Sequence, residues 1–351
     1  MVIFVAAAVT AFVIAFLAIP VVIRFAISKN LMDVPGRRKI HKKETPSLGG
    51  IAIFLGFFVS TLIWIDLSEL KNIKFILVPF VVIFFTGLRD DLVDLKPWIK
   101  LLGQILAAGF LLFLLDVRLH SFYGLFGIEE WPPLISYAVT VFTIIVIVNS
   151  FNLVDGIDGL AGGLGLTSLL FFGVWYLLVG DVFLTVLCFS MIGAIAAFLI
   201  FNWEPSKIFM GDTGSMTIGL LIAILTLRFI NFNYNLAEDN PLHFDSTVTT
   251  ATCIIFVPLF DTLRIVLLRL WKGQSPFTPD KSHIHHILLR LGLNHSRSTV
   301  ALIIIQLLFI LAATALRNVG DRIMMPSVLA FAIILSITLD RLVARRFTPR
   351  N

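Results

Sequence analysis

Apolar stretches of membrane length recur along this 351-residue chain with little charge inside them. A helix of about 20 apolar residues spans a bilayer, because backbone polar groups in hydrocarbon must pair within their own segment. Eleven such runs are legible, at residues 2–27, 48–66, 73–88, 98–115, 133–150, 159–179, 181–201, 213–230, 247–270, 298–316 and 322–340. Hydrophobic residues make up 58% of the chain and charged ones only 14%, which excludes an ordinary water-soluble domain. The expectation is an all-α, polytopic membrane protein of about eleven transmembrane helices, forming one integral-membrane domain over 1–351. The first run has no basic residue before it and no small-residue cleavage site, so it reads as a retained span. The ninth is irregular. Pro258 lacks a backbone donor, and Asp261 and Arg264 follow, so a broken helix is predicted there. Arg264–Trp271 would continue as a basic amphipathic helix along the membrane surface. Cys188 and Cys253 lie in apolar runs and read as buried thiols.

Lys and Arg are distributed unevenly between the two sides that eleven spans define. One side receives Arg37–Lys43, Arg89, Lys96, Lys100, Lys207, Arg264, Lys272 and Arg345, among others. The other receives Lys71, Lys74, Arg118, Arg228, Arg317 and Arg322. Cytoplasmic loops carry the Lys and Arg excess, so the N-terminus is expected outside and the C-terminus in the cytoplasm.

The unusual polar motifs all fall on the basic side. In Asn149–Gly163, Asn152, Asp155 and Asp158 recur every third residue among glycines, which brings them to one side of a helix or tight turn. Such oxygen ligands suit a hard cation holding a phosphate, and a polar turn between two helices is the plainer reading. Asp90, Asp91 and Asp94 end the third run, and adjacent carboxylates call for a divalent ion or a shared proton, unless they mark a solvated helix end. Asp212, between Gly211 and Gly214, would complete a metal site, cap the eighth span, or do both. Phe209 would stack on a flat base. Lys42 and Ser47, with the Gly49-Gly50 turn, would face an anion, although a basic run beside a membrane is also a topology signal. His283, His285 and His286 have no cysteine nearby and read as phosphate or sugar contacts in preference to a zinc site. His41, His120, His243 and His295 stand alone and receive no role.

In this order, Asp90-Asp91, Asn152-x-x-Asp155-Gly-x-Asp158-Gly, Phe209-Met-Gly-Asp212-x-Gly-Ser and the His283 cluster resemble the polyprenyl-phosphate N-acetylhexosamine-1-phosphate transferases. The likeness runs from about Asp33 to His295. It is nearer to the WecA and TagO branch than to MraY, because the cluster reads His-Ile-His-His and Asp94 stands where MraY-like chains carry Lys. The resemblance implies transfer of N-acetylglucosamine-1-phosphate, or a close N-acetylhexosamine-1-phosphate, from a UDP-sugar to undecaprenyl phosphate with release of UMP. It implies Mg²⁺ (or Mn²⁺ in its place), a homodimer, and a bacterial inner-membrane location with the site facing the cytoplasm. The reaction would be the first membrane step of a cell-envelope polysaccharide. Membrane lipids are expected neighbours, and no nucleic acid is expected. By position, Asn152, Asp155, Asn202 and Phe209 would contact the nucleotide, and Asp212, then Asp158, would bind the metal. Asp90 or Asp91 would act on the lipid phosphate, and Lys42 and Ser47 would match an anion site. Arg264, His283, His285 and His286 would surround the donor's phosphates and sugar. A UDP-MurNAc-pentapeptide donor is the alternative within the family. An ion-coupled transporter is the alternative outside it, and would carry its ionisable residues near the midplane of repeated halves.

Overall fold

The computed structural model describes residues 1–32, 44–66, 70–115, 117–123, 125, 130–275 and 283–347. Among the described residues there are thirteen helices and no strand. They are α1 (Val2–Ser28), α2 (Gly49–Trp64), α3 (Leu70–Leu92), α4 (Pro97–Leu115), α5 (Pro133–Val154), α6 (Leu160–Val179), α7 (Val182–Asn202), α8 (Gly211–Tyr234), α9 (Thr247–Ile254), α10 (Phe256–Trp271), α11 (Ile284–Arg290), α12 (His295–Ala315) and α13 (Asp321–Phe347). Eight of these are long and apolar enough to cross a membrane, or nine when the bent pair α9–α10 counts as one span. The chain is thus an all-helical, multi-pass membrane protein, with fewer spans by this criterion than the eleven expected. α2, for example, is apolar but has only 16 residues.

α8 is the central helix, buried almost throughout from Thr213 to Asn233. Helices α2, α3 and α5 pack around it. Two glycines let this happen near its N-terminus. A Cβ on Gly50 would collide with Gly214 N, and one on Gly87 would come within 2.6 Å of Thr213 Cα. At the periphery, α1 leaves Val5, Val9, Val13, Leu17 and Val21 exposed, one row at helical spacing. Such an apolar row suits contact with lipid.

The broken helix exists, but not where proline was expected to break it. α9 and α10 meet at Ile255 with a bend of 88°. Pro258 sits in the first turn of α10, where its missing N–H has no intrahelical acceptor to lose. α10 also reverses the expected amphipathic pattern. Leu263, Leu267, Leu270 and Trp271 are exposed, while Asp261, Arg264 and Arg269 are buried. A helix flanked by lipid turns its charges inward to partners; here Arg264 Nε donates to Ser336 Oγ of α13 at 2.7 Å. Cys188 and Cys253 are buried free thiols, as expected.

α9 starts without a cap from its own neighbouring residues. Asp321, opening α13, supplies it: its carboxylate accepts from Val248 N at 3.0 Å, from Thr249 N at 2.7 Å and from the Thr249 hydroxyl. Asp321→Ala is expected to destabilise the protein by about 1–2 kcal/mol, the usual cost of losing a helix cap. Thermal unfolding in detergent measures this, and an unchanged midpoint would show that the cap contributes nothing.

Candidate active site

At one end of the bundle, the ends of α3 and α5, the turn between α5 and α6, and the starts of α8 and α12 enclose a half-open pocket of about 740 Å³. Asp90, Asp91, Asp94, Asn152, Asp155, Asp158, Asn202, Phe209, Asp212, Ser47, His286 and His295 line it. Ten of the fourteen candidates singled out from the sequence are therefore brought together there. Of the other four, Arg264, His283 and His285 lie off its wall, and Lys42 is outside the described residues.

The acids fall into two groups. In the first, Lys100 of α4 joins Asp90 to Asp212. Its Nζ lies 2.7 Å from Asp90 Oδ2 and in direct contact with Asp212 Oδ2. Asp90 is held from its other oxygen, which accepts from Leu95 N at 2.8 Å. Asp91 does something different. Its carboxylate accepts from Asp212 N at 2.7 Å, from Thr213 N at 3.0 Å and from the Thr213 hydroxyl. It therefore caps α8 from the end of α3, where α8 has no side-chain cap of its own. The cap considered for Asp212 belongs to Asp91, and Asp212 stands in the first turn of α8 with its carboxylate turned to Lys100. Gly211 makes this junction geometrically feasible. Its φ is +71°, and a Cβ there would lie 2.7 Å from both Asp91 carboxylate oxygens.

In the second group, Asp158 accepts from Ser206 Oγ at 3.0 Å and from Ser206 N at 3.3 Å. His295 Nδ1 lies 3.5 Å from its Oδ2, an ion-pair distance. Burial pushes the Asp158 carboxyl up, but the His295 imidazole and the Ser206 hydrogen bonds outweigh it and hold it below its ordinary value. Asp155 stands between the groups. Burial, reinforced by the charges of Asp212, Asp91 and Asp158, pushes its carboxyl up to about 8.

The remaining candidates sort by their partners. Asn152 donates to Ser215 Oγ at 3.0 Å. Asn202 is largely spent on the fold, accepting from Gly159 N at 2.9 Å and donating to Ile208 O at 2.8 Å. Phe209 is half-buried on the wall. Ser47 lines the pocket, but the amides expected to face an anion do not: Gly49 N donates to Phe209 O at 2.9 Å and Gly50 N to Met210 O at 2.8 Å. His283 is buried against Asp261, with Nδ1 2.8 Å from Oδ2, and Ile284 N donates to the same carboxylate at 2.9 Å. His285 is buried with its ring against Gly156. Burial and the charges of His286 and His283 hold its imidazole well below the ordinary value, hence neutral. Only His286 of the three reaches the pocket. Lys100 and His295 escaped the sequence reading. Lys100 passed as one more basic residue at a span start, and His295 has no motif around it.

Among the described residues, no three His, Cys, Asp or Glu side chains are grouped as a ready metal cage. Two carboxylates do converge on one cationic group, the Lys100 ammonium.

Residues 73–230 match the model of glycosyl transferase family 4. The chain is 33% identical over 315 residues to a Bacillus subtilis (strain 168) protein named probable undecaprenyl-phosphate N-acetylglucosaminyl 1-phosphate transferase, covering 88% of this chain and 85% of that one. It is 33% identical over 304 residues to the undecaprenyl-phosphate alpha-N-acetylglucosaminyl 1-phosphate transferase of Yersinia pestis, with 85% and 78% covered. The protein of that name from Escherichia coli (strain K12) is 32% identical over 298 residues, with 83% and 76% covered.

Two outcomes test the geometry. Asp91→Asn is expected to lower both activity and melting temperature, because the amide has one acceptor oxygen for a helix end that now bonds two; Asp90→Asn is expected to lower activity with a smaller melting shift. Equal melting shifts would remove the cap from the account. For Asp155, the folded value lies above the unfolded one, so its contribution to stability is present below about pH 4 and is lost as the pH rises toward about 8. In EDTA, the melting temperature is expected to fall over that interval, and Asp155→Asn to flatten the fall. An unaltered slope would show that Asp155 does not carry it.

Proposed function

The chain belongs to the polyprenyl-phosphate N-acetylhexosamine-1-phosphate transferase family, and we propose that it transfers N-acetylglucosamine-1-phosphate from UDP-N-acetylglucosamine to undecaprenyl phosphate. The observation that carries this is the acid-lined pocket at the ends of membrane helices, bridged by Lys100, in a chain whose relatives bear that activity in their names. One substrate is lipid and the other water-soluble, so a site at helix ends meets both.

A phosphate oxygen of the lipid attacks the sugar-bearing phosphorus of the donor. The bond from that phosphorus to the bridging oxygen breaks, and UMP leaves with that oxygen and the electron pair. A phosphate monoester loses its second proton near pH ~6, so the attacking oxygen is largely deprotonated without a strong base. Transfer of this kind depends on positioning and charge stabilisation. Lys100 supplies a cation close to Asp90 and Asp212. Asp91 fixes the start of α8, and with it the place of Asp212. Asn152, Asp155 and Phe209 form the wall offered to the nucleotide, and His286 offers a ring nitrogen to phosphate.

We further propose Mg²⁺ as the cofactor, with Asp212 and Asp90 as its protein ligands. The donor set fits. Mg²⁺ is usually held by one or two carboxylates together with substrate phosphates and water, so a cage of three protein ligands is not required. When bound, the ion would neutralise phosphate charge and polarise a phosphoryl oxygen. Asp158 is left out of this set because it stands apart with Ser206 and His295, whereas Asp90 and Asp212 converge on one point.

The test offers equal UDP-N-acetylglucosamine and UDP-MurNAc-pentapeptide to the purified protein with undecaprenyl phosphate, in Mg²⁺ or EDTA. UMP release and the mass of the lipid product are measured. Lipid-linked N-acetylglucosamine is expected, in Mg²⁺ only. A dominant pentapeptide product would overturn the donor, and full turnover in EDTA would overturn the metal. The site is proposed to face the cytoplasm of a bacterial inner membrane, by the Lys and Arg excess. Impermeant labelling of intact cells should then reach a cysteine at Glu238 and not one at Lys207; the reverse pattern inverts the topology.

A further inference from the structure

We propose that His295 contacts the diphosphate of the nucleotide-sugar donor; this rests on the transferase reading above. His295 opens α12, directly after its cap Asn294, and its ring lines the acid pocket. Nδ1 is buried and faces Asp158 at 3.5 Å, while the side chain as a whole keeps 17% exposure. The exposed edge is therefore the one that carries Nε2, and no described residue bonds to Nε2. A carboxylate on one imidazole nitrogen orients the ring and presents the other to a ligand. As an imidazolium, the ring donates one N–H toward Asp158 and the other into the pocket.

The backbone that carries the ring is anchored. Ser296 N donates to Glu204 at 2.8 Å, and the Thr299 hydroxyl donates to Asp158 O at 2.8 Å. Together these tie the start of α12 to the two loops that carry the pocket wall. Such support is what a ligand contact requires and what a surface histidine lacks.

The chemistry of the wall selects the ligand. Six carboxylates line it, and Lys100 is already shared by Asp90 and Asp212. A diphosphate entering there needs donors, and His295 supplies one on the side of Asp155 away from Lys100. The side matters for which substrate it meets. The first acid group, with its Lys100 bridge, stands beside the end of α3 and the start of α4, where Leu92, Trp98 and Leu102 are exposed and apolar, as suits a lipid acceptor. His295 sits with the 203–207 loop, where Lys207 is exposed and Glu204 accepts from Ser296 N, polar surroundings that suit a donor arriving from water.

Two amides separate contact from mere support. The glutamine amide reaches toward the place of Nε2, and the asparagine amide toward that of Nδ1. In His295→Asn and His295→Ala the KM for UDP-N-acetylglucosamine is expected to rise about tenfold, the size of one hydrogen bond to a charged group. The KM for undecaprenyl phosphate is expected to stay unchanged, and His295→Gln to recover part of the loss. Donor binding is read independently as the rise in melting temperature that UDP-N-acetylglucosamine causes, expected to shrink in His295→Asn. The inference alone is overturned if the wild type turns over and His295→Asn matches it while His295→Gln fails, since the ring would then serve only Asp158. A rise in the lipid KM instead of the donor KM overturns it too. A wild type with neither turnover nor a donor-induced melting shift overturns the transferase reading along with it.

Discussion

A carboxylate capping a helix on another segment organises this site. The first N–H groups of any helix have no intrahelical acceptor, and leaving them unpaired away from water costs free energy. α8 is the most enclosed helix of the bundle and begins at Gly211 with no cap from its own sequence. Asp91 resolves this from the end of α3, with both carboxylate oxygens on the backbone of Asp212 and Thr213. One interaction thus satisfies the helix end, complements its partial positive charge, and fixes Asp212 beside Lys100. Asp321 and α9 repeat the device at the other end of the bundle. Helices in hydrocarbon gain little from apolar contact with one another, so such polar ties carry a larger share of their relative placement.

The pocket has more negative than positive charge. Asp90, Asp91, Asp94, Asp155, Asp158 and Asp212 line it, and Lys100 and two histidines face them. Each carboxylate that has a partner is anchored, whereas Asp155 is pushed up to about 8 by burial and by its neighbours. An arrangement of carboxylates that disfavours its own ionisation would gain from the cation proposed above.

The helical membrane architecture and the position of the acids were legible in the sequence, because both rest on local signals. Apolar length dictates helices, and carboxylates at the ends of apolar runs are conspicuous. What was not legible depends on tertiary partners. Gly49 and Gly50 looked free to face an anion, yet their N–H groups pair with Phe209 and Met210 carbonyls from a segment 160 residues away. Asp91 was expected to act on the lipid phosphate, and that it also caps α8 cannot be read from spacing. Lys100 and His295 carry no motif; only their distances to Asp212 and Asp158 single them out. α10 was read with its charges toward water, the rule for a helix lying on a membrane. With lipid against its outer face the rule inverts.

That inversion explains how a histidine cluster far along the chain reaches an acid pocket built from earlier helices. The 88° bend at Ile255 turns α10 away from the direction of α9 and packs it against α5. Its inward Asp261 then pairs with His283 and holds the Ile284 amide, anchoring the start of α11. From that anchor the next two residues diverge in role. His285 packs on Gly156, where any larger residue would collide with its ring, and so presses against the turn that bears Asp155 and Asp158. His286 turns into the pocket. Of the three histidines, one is thus a clamp, one a wedge and one part of the pocket wall, and the buried carboxylate of Asp261 anchors the segment that bears them. Neutral burial of His285 fits this division, since a wedge against glycine needs shape and not charge.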